Sequence, residues 1–309
     1  MKWLLFRLAF FYARIYAFFA YYRKRGRRRE IEEKFNLFLP RGWDFREKKK
    51  TIRSILELRG SRKVMHYLIP LMDGRFIKRF IKVEGLDYLD RALKKGRGVL
   101  LMAGHFGNPY LGFNALRVMG YDLILVKGGR PRQFSSGIRQ RIRHTDTLDN
   151  TIFIFDPASA EDYKGRILET LRSGKIINYY GDTREGRIKE NVPFLGKEIG
   201  FPTGMIHLAC QARAQIIPLF FLYEKGKTLL ILKEPIDGDW KEGEKGYREV
   251  VLKFAKLLET FLLAFPEQYM GIYGPTVVSD YYRSHKDENV ISGEGKNERS
   301  RDRLCEVGD

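Results

Sequence analysis

One histidine stands where general-base chemistry is expected. His105 follows the apolar run Gly98-Val99-Leu100-Leu101-Met102 and sits in the turn Ala103-Gly104-His105-Phe106-Gly107-Asn108, with a glycine on either side. An imidazole titrates near neutrality and is the usual acceptor for a hydroxyl proton. The other histidines carry less. His207 lies in the apolar stretch Gly204-Met205-Ile206-His207-Leu208-Ala209 and reads as a satisfied buried histidine, and His66, His144 and His285 have no companions at metal spacing. Cys210 and Cys305 have neither metal-ligand spacing nor the numbers for a disulfide framework. No Gly-x-Ser-x-Gly elbow, phosphate loop or dinucleotide glycine fingerprint is present, which argues against hydrolase, kinase and nicotinamide-dependent chemistry.

The elements that must hold His105 alternate along the chain. Strands are expected at 98–102, 123–126, 151–155, 176–180, 216–221 and 229–232, with helices at 86–95, 110–119, from 137, at 161–172 and at 203–213. That rhythm predicts an α/β fold with a mostly parallel central sheet flanked by helices. Sites in such sheets form outside the carboxyl ends of the strands, where His105 falls. A last helix over 247–265 carries Val250, Phe254, Leu257, Leu258 and Phe261 on one face and should dock on the sheet. Before the sheet, 46–72 reads as helical with a break near Gly60, and 31–45 as a hydrophobic connector.

The chain of 309 residues has a formal net charge of +19, so its field attracts phospholipid headgroups, acidic carrier proteins or nucleic acid. Its first 22 residues are dominated by aromatic and aliphatic side chains and run into the basic cluster Arg23 to Arg29. Lys2, Arg7 and Arg14 interrupt the segment and no small-residue cleavage site follows, so the expectation is a helix lying in a membrane interface, or a tilted span with snorkelling arginines, rather than a signal peptide. Basic residues next to it place the rest of the chain on the cytosolic side. The expected division is an anchor over 1–29, an α/β domain over 30–282 and a disordered polar tail over 283–309.

Three stretches resemble the motifs of the lipid A biosynthesis (late) acyltransferases, a branch of the lysophospholipid acyltransferase superfamily. They are Gly98 to Asn108; Gly181-Asp182-Thr183-Arg184-Glu185-Gly186 followed by Val192 to Lys197 and Phe201-Pro202-Thr203-Gly204; and Pro266-Glu267-Gln268-Tyr269, where the family has Pro-Glu-Gln-Trp. The resemblance implies transfer of a fatty acyl group from acyl carrier protein or acyl-CoA to a hydroxyl of a membrane-bound acceptor, a lipid A-type glycolipid or a lysophospholipid, with no metal and no further cofactor. The implied partners are membrane lipids and an acidic carrier protein, not nucleic acid, and the implied location is the cytoplasmic membrane.

The family histidine is followed after four residues by Asp or Glu, and this sequence has Tyr110 there. A phenol is neutral at pH 7 and does not offset an imidazolium. Three readings follow: Asp182, matching the family's aspartate after the 176–180 strand, supplies the charge; Tyr110 holds the ring; or the protein binds lipid without transferring acyl groups. For the oxyanion, backbone N–H groups from Gly104 to Gly107 are expected donors, and Gly104, Gly107 and Asn108 are expected on the substrate side. Arg130, in Lys127-Gly128-Gly129-Arg130-Pro131-Arg132, resembles a family block with a functional arginine. Arg184 reads equally as a phosphate ligand or a surface ion pair. Thr203 and Gly204 open a helix whose free N–H groups suit a phosphate, with Thr203 as N-cap the alternative.

Overall fold

The computed structural model describes residues 2–23, 25–35, 44–69, 72–128, 151–154, 163–224, 226–236, 244–274 and 276–282. Arg130, the helix expected from Gly137 and the tail 283–309 lie outside them. Seven strands form one sheet in the order β1 (Ile81–Glu84), β9 (Lys227–Leu232), β8 (Gln215–Glu224), β2 (Val99–Ala103), β5 (Ile176–Tyr180), β3 (Leu123–Gly128) and β4 (Thr151–Ile154). Every neighbouring pair is parallel except β8 with β9.

The central strand β2 is apolar at every position because both sheet faces are covered. Val99, Leu101 and Ala103 of β2 pack with the helices α4 (Gly74–Phe80), α5 (Leu86–Lys94) and α6 (Pro109–Val118). Leu100 and Met102 pack on the opposite face with α7 (Tyr163–Arg172), α8 (Gly204–Gln211) and α9 (Glu244–Ala264). On α9 the rings of Phe254 and Phe261 stack over Phe220 of β8, the docking that the spacing of that helix predicts.

A hairpin that the sequence reading does not anticipate, β6 (Lys189–Phe194) with β7 (Lys197–Pro202), stands apart from the main sheet. Its inner positions alternate: Val192 opposes Ile199, and the rings of Phe194 and Phe201 lie 5.5 Å apart. Leu195 (φ 52) and Gly196 (φ 79) form the two-residue loop, the mirror-image turn that matches strand twist. Charged outer residues hid the strand period from a hydrophobicity reading.

Two expectations at the amino-terminal end are corrected. Helix α3 (Phe45–Leu68) runs without a break through Gly60. A Cβ there would lie 2.8 Å from the Tyr16 ring and 3.5 Å from Ala13 Cα, so the glycine lets α1 (Lys2–Arg23) approach α3. Ala13, Ala17 and Ala20 of α1 are buried along the same seam. Residues 31–35 of the expected connector are instead helical, because α2 spans Arg25–Phe35 and buries Ile31, and residues 36–43 lie outside the described residues. Lys34 ties α2 to the end of the fold by donating to the Ile272 carbonyl at 2.9 Å.

Candidate active site

Strand register brings the catalytic candidates together. In the parallel β2–β5 ladder Ala103 is the partner of Tyr180, and Gly181 N–H donates to the Ala103 carbonyl at 2.9 Å. Two residues beyond that pair on each strand stand His105 and Asp182, so the ladder's sequence offset of 77 is kept between them. Asp182 Oδ1 lies 2.6 Å from His105 Nδ1. Asp182 Oδ2 accepts from His105 N–H at 3.0 Å and from the Tyr269 hydroxyl at 2.9 Å. The carboxylate is fully buried while the imidazole is 28% exposed. Gly181 is the hinge of this arrangement: a Cβ would meet Met102 at 2.5 Å and Phe254 at 2.7 Å.

A phenol donating to a buried carboxylate must keep its proton. Burial, and then the charge of Asp182, hold the Tyr269 hydroxyl well above the ordinary tyrosine range. Tyr179 is raised for the same two reasons in the same order. The face of the imidazole is covered by Tyr180, whose ring stacks on it at 4.0 Å and 16°. With its Nδ1 turned to a carboxylate, a neutral imidazole carries its proton on Nδ1 and leaves Nε2 as acceptor.

The turn holding His105 is strapped from behind by the segment after α9. Gly107 N–H donates to the Gln268 carbonyl at 2.8 Å, Met270 N–H donates to the His105 carbonyl at 2.6 Å, and Phe106 bridges Tyr269. The Gln268 carboxamide in turn pairs with both backbone groups of Tyr223. Gly107 (φ +54) could not carry a side chain here, since its Cβ would lie 2.4 Å from the Phe221 carbonyl oxygen.

His105 stands at the edge of a cavity of about 1100 Å³. Tyr110 and Phe113 of α6, Leu125 to Lys127 of β3, Asn178 to Tyr180 of β5, Tyr163 and Leu168 of α7, and Met205, His207 and Leu208 of α8 line it. Because successive strand residues point to opposite faces, the cavity wraps the carboxyl ends of β3 and β5. Its lining takes in Phe113, Leu125 and Asn178 on the α6 side of the sheet, and Val126, Tyr179 and the helices α7 and α8 on the other.

The remaining sequence candidates divide. Tyr110 lines the cavity with Lys127 Nζ 5.7 Å from its ring centroid, but the imidazole nitrogen it was expected to serve is bonded to Asp182. Arg184 pairs with Asp280 at 3.4 Å, the contact that its ion-pair reading expects. Gly204 lines the cavity at the start of α8, whereas the side chain of Thr203 caps nothing, and its N–H donates to the Ile188 carbonyl at 3.1 Å. His207 is not a core histidine: it is half-buried on the cavity wall, its ring 3.8 Å from that of Tyr247. Asn108 is buried at the start of α6 and its Oδ1 has no partner among the described residues.

The expected oxyanion donors are corrected. Gly104 N–H donates to Leu219, His105 N–H to Asp182, Phe106 N–H to Gly104 and Gly107 N–H to Gln268. All four are used within the fold because they hold the turn in place. Tyr180 and the Tyr269 hydroxyl are site groups that reading the sequence passed over as such. The register signal for Tyr180 exists only once β2 and β5 are known to pair, and Tyr269 stood in a quoted motif without a role.

A histidine and a buried aspartate thus meet at the strand ends of a mostly parallel α/β sheet, beside a large and mainly apolar cavity. The chain belongs to the bacterial lipid A biosynthesis acyltransferase family, whose model matches residues 6–273. No curated protein sequence matches the chain. Among solved structures it is similar to the 1-acyl-sn-glycerophosphate (LPA) acyltransferase PlsC from Thermotoga maritima, at 18% identity and a TM-score of 0.37, over 85% of this chain and 100% of that one.

Proposed function

We propose that the protein transfers a fatty acyl group from a thioester, carried by acyl carrier protein or coenzyme A, to a hydroxyl of a lipid A-type glycolipid or lysophospholipid. The observation that carries this reading is the 2.6 Å pairing of His105 with the buried Asp182 at the edge of the cavity. His105 Nε2 takes the proton of the acceptor hydroxyl as its oxygen attacks the thioester carbonyl. The tetrahedral intermediate collapses with cleavage of the C–S bond, and the imidazolium returns its proton to the departing thiolate. Asp182 orients the ring and offsets its transient charge. With the turn amides committed, the oxyanion falls to cations of the cavity wall, of which Lys127, Lys164 and Arg187 lie among the described residues.

The test is thioester consumption by the purified full chain, followed as free thiol, against His105→Ala. Loss of acceptor-dependent thiol release in the variant is expected. Equal rates, or none above background in either protein with a panel of both acceptor classes, would leave a lipid-binding protein without transfer activity.

The same reading includes docking at the cytoplasmic membrane face through α1. Its alanine seam is buried on α3, while Phe11, Tyr12, Phe18, Phe19 and Tyr22 are 45–62% exposed. Exposed aromatics beside a basic run suit an interface of anionic lipid. No helix among the described residues is long and apolar enough to cross a membrane. Since α1 also covers α3, serine substitutions at Phe11, Phe18 and Phe19 test this better than deletion. They should lower sedimentation with anionic vesicles without loss of fold, and unchanged sedimentation would remove α1 as the docking surface.

A further inference from the structure

An isoleucine at the lip of the cavity is left in water. Ile188 lines the cavity and is 61% exposed. Single exposed apolar residues are ordinary on protein surfaces, so the placement of this one carries the argument. Its backbone is fixed: the Ile188 carbonyl accepts from Thr203 N–H at 3.1 Å, and the next residue, Lys189, opens β6 as the partner of Pro202. The hairpin therefore holds the side chain out at the rim of a cavity whose lining includes the apolar Pro202, Met205 and Leu208.

The lip is tied to the basic amino-terminal end of the fold. Arg184 and Lys189, on either side of it, both pair with Asp280, at 3.4 and 3.8 Å. Two residues further along the same helical turn, the Tyr282 hydroxyl donates to Glu33 of α2 at 3.0 Å, about one turn of helix from the exposed Arg29. The run Arg184-Glu185-Gly186-Arg187-Ile188-Lys189 has three cations and one carboxylate, so the lip keeps a net positive charge when Asp280 is counted with it.

We infer that this lip is a second membrane contact: Ile188 inserts among the acyl chains of an anionic bilayer, the cavity opens onto the membrane there, and the acceptor lipid reaches His105 without crossing water. The identity of the acceptor rests on the acyl-transfer reading; the contact itself does not. An apolar side chain with cations beside it matches the headgroup boundary of anionic lipid. A cavity seated on a bilayer also spares an entering lipid the exposure of its chains to water. An acidic carrier protein is the competing occupant, since cations would attract it too. The ties from Asp280 and Tyr282 towards α2, which follows the exposed aromatic face of α1, favour the lipid surface.

Tryptophan placed at the lip reads the contact. Ile188→Trp in the full chain is mixed with phosphatidylglycerol–phosphatidylcholine vesicles, with and without brominated acyl chains. Its emission is taken as the difference from the native protein, which has three tryptophans of its own. Val118→Trp is the control, because Val118 is 46% exposed at the last residue of α6, the end away from His105. A blue shift and bromine quenching at 188, and neither at 118, are expected. Ile188→Ser, checked for an unchanged thermal midpoint, should raise the KM for acceptor presented in vesicles by about tenfold while kcat and the KM for carrier-linked thioester stay within about twofold.

Vesicle-bound protein without quenching at 188 overturns the inference, as does protein that stays in solution. So does an acceptor KM that does not move; a rise confined to the carrier-linked thioester assigns the lip to the carrier instead. Quenching at 188 without thioester turnover would defeat acyl transfer and leave the membrane contact; turnover dependent on His105 without quenching would do the reverse.

Discussion

Replacing Asp182 by asparagine changes the chemistry of His105 while keeping its shape, and the hydrogen bonds around the carboxylate fix how. Oδ2 receives two donors, the His105 N–H and the Tyr269 hydroxyl, and an amide nitrogen there would face both. The asparagine must therefore keep its oxygen at Oδ2 and turn its NH2 group to His105 Nδ1. An imidazole facing a donor carries its proton on Nε2, so the nitrogen aimed at substrate has no lone pair to offer. The variant also loses the charge opposite the imidazolium. Opposite unit charges about 4 Å apart attract by roughly 4 kcal/mol at an effective dielectric of about 20, and each 1.36 kcal/mol is about tenfold in rate. Asp182→Asn should lower kcat by about a thousandfold, with the KM for thioester changed less than about threefold, since the imidazolium is absent from the ground-state complex and forms only as the reaction proceeds. Thiol release under saturating donor and acceptor, with thermal unfolding as the check on folding, measures both. A folded Asp182→Asn protein within about tenfold of native kcat, or one defective in KM alone, would refute the assignment of Asp182 as the partner of His105.

Three further outcomes are expected. Tyr269→Phe removes a hydrogen bond to a buried charge, about 1.5–3 kcal/mol for that class, and should lower kcat about tenfold. Tyr110→Phe should leave kcat within about threefold, because Nδ1 of His105 is already bonded to Asp182; a hundredfold loss in the same thiol assay would restore Tyr110 as the supporting group. Stability should be flat on the alkaline side until about pH 10 and fall above it. The unfolded chain loses tyrosine protons there while Tyr179 and Tyr269 keep theirs, so the folded state binds more protons and stability declines with pH. Denaturant titrations of Tyr269→Phe should show a decline shallower by about one proton.

The sequence by itself determined the strand that ends at His105, the alternation that makes a mostly parallel sheet, and the apolar face of α9. Each is carried by the local pattern of apolar residues, and β2, covered on both faces, is apolar throughout. It also marked Asp182 and Tyr269 as members of motifs, though not as neighbours of each other. Their meeting depended on pairing. Only the β2–β5 register sets Asp182 against His105 across 77 residues, and only the strap from Gln268 to Met270 brings the Tyr269 hydroxyl behind them. Tertiary structure likewise decided that the turn amides are spent on the fold, that Gly60 admits a helix rather than breaking one, and that Asn178 Oδ1 is buried without a partner among the described residues. Periodicity records which face of an element is buried, because the free energy of burial acts on each residue separately. Hydrogen-bond commitments, close helix contacts and unpaired buried atoms belong to pairs of residues distant in the chain, and these exist only after the chain has closed.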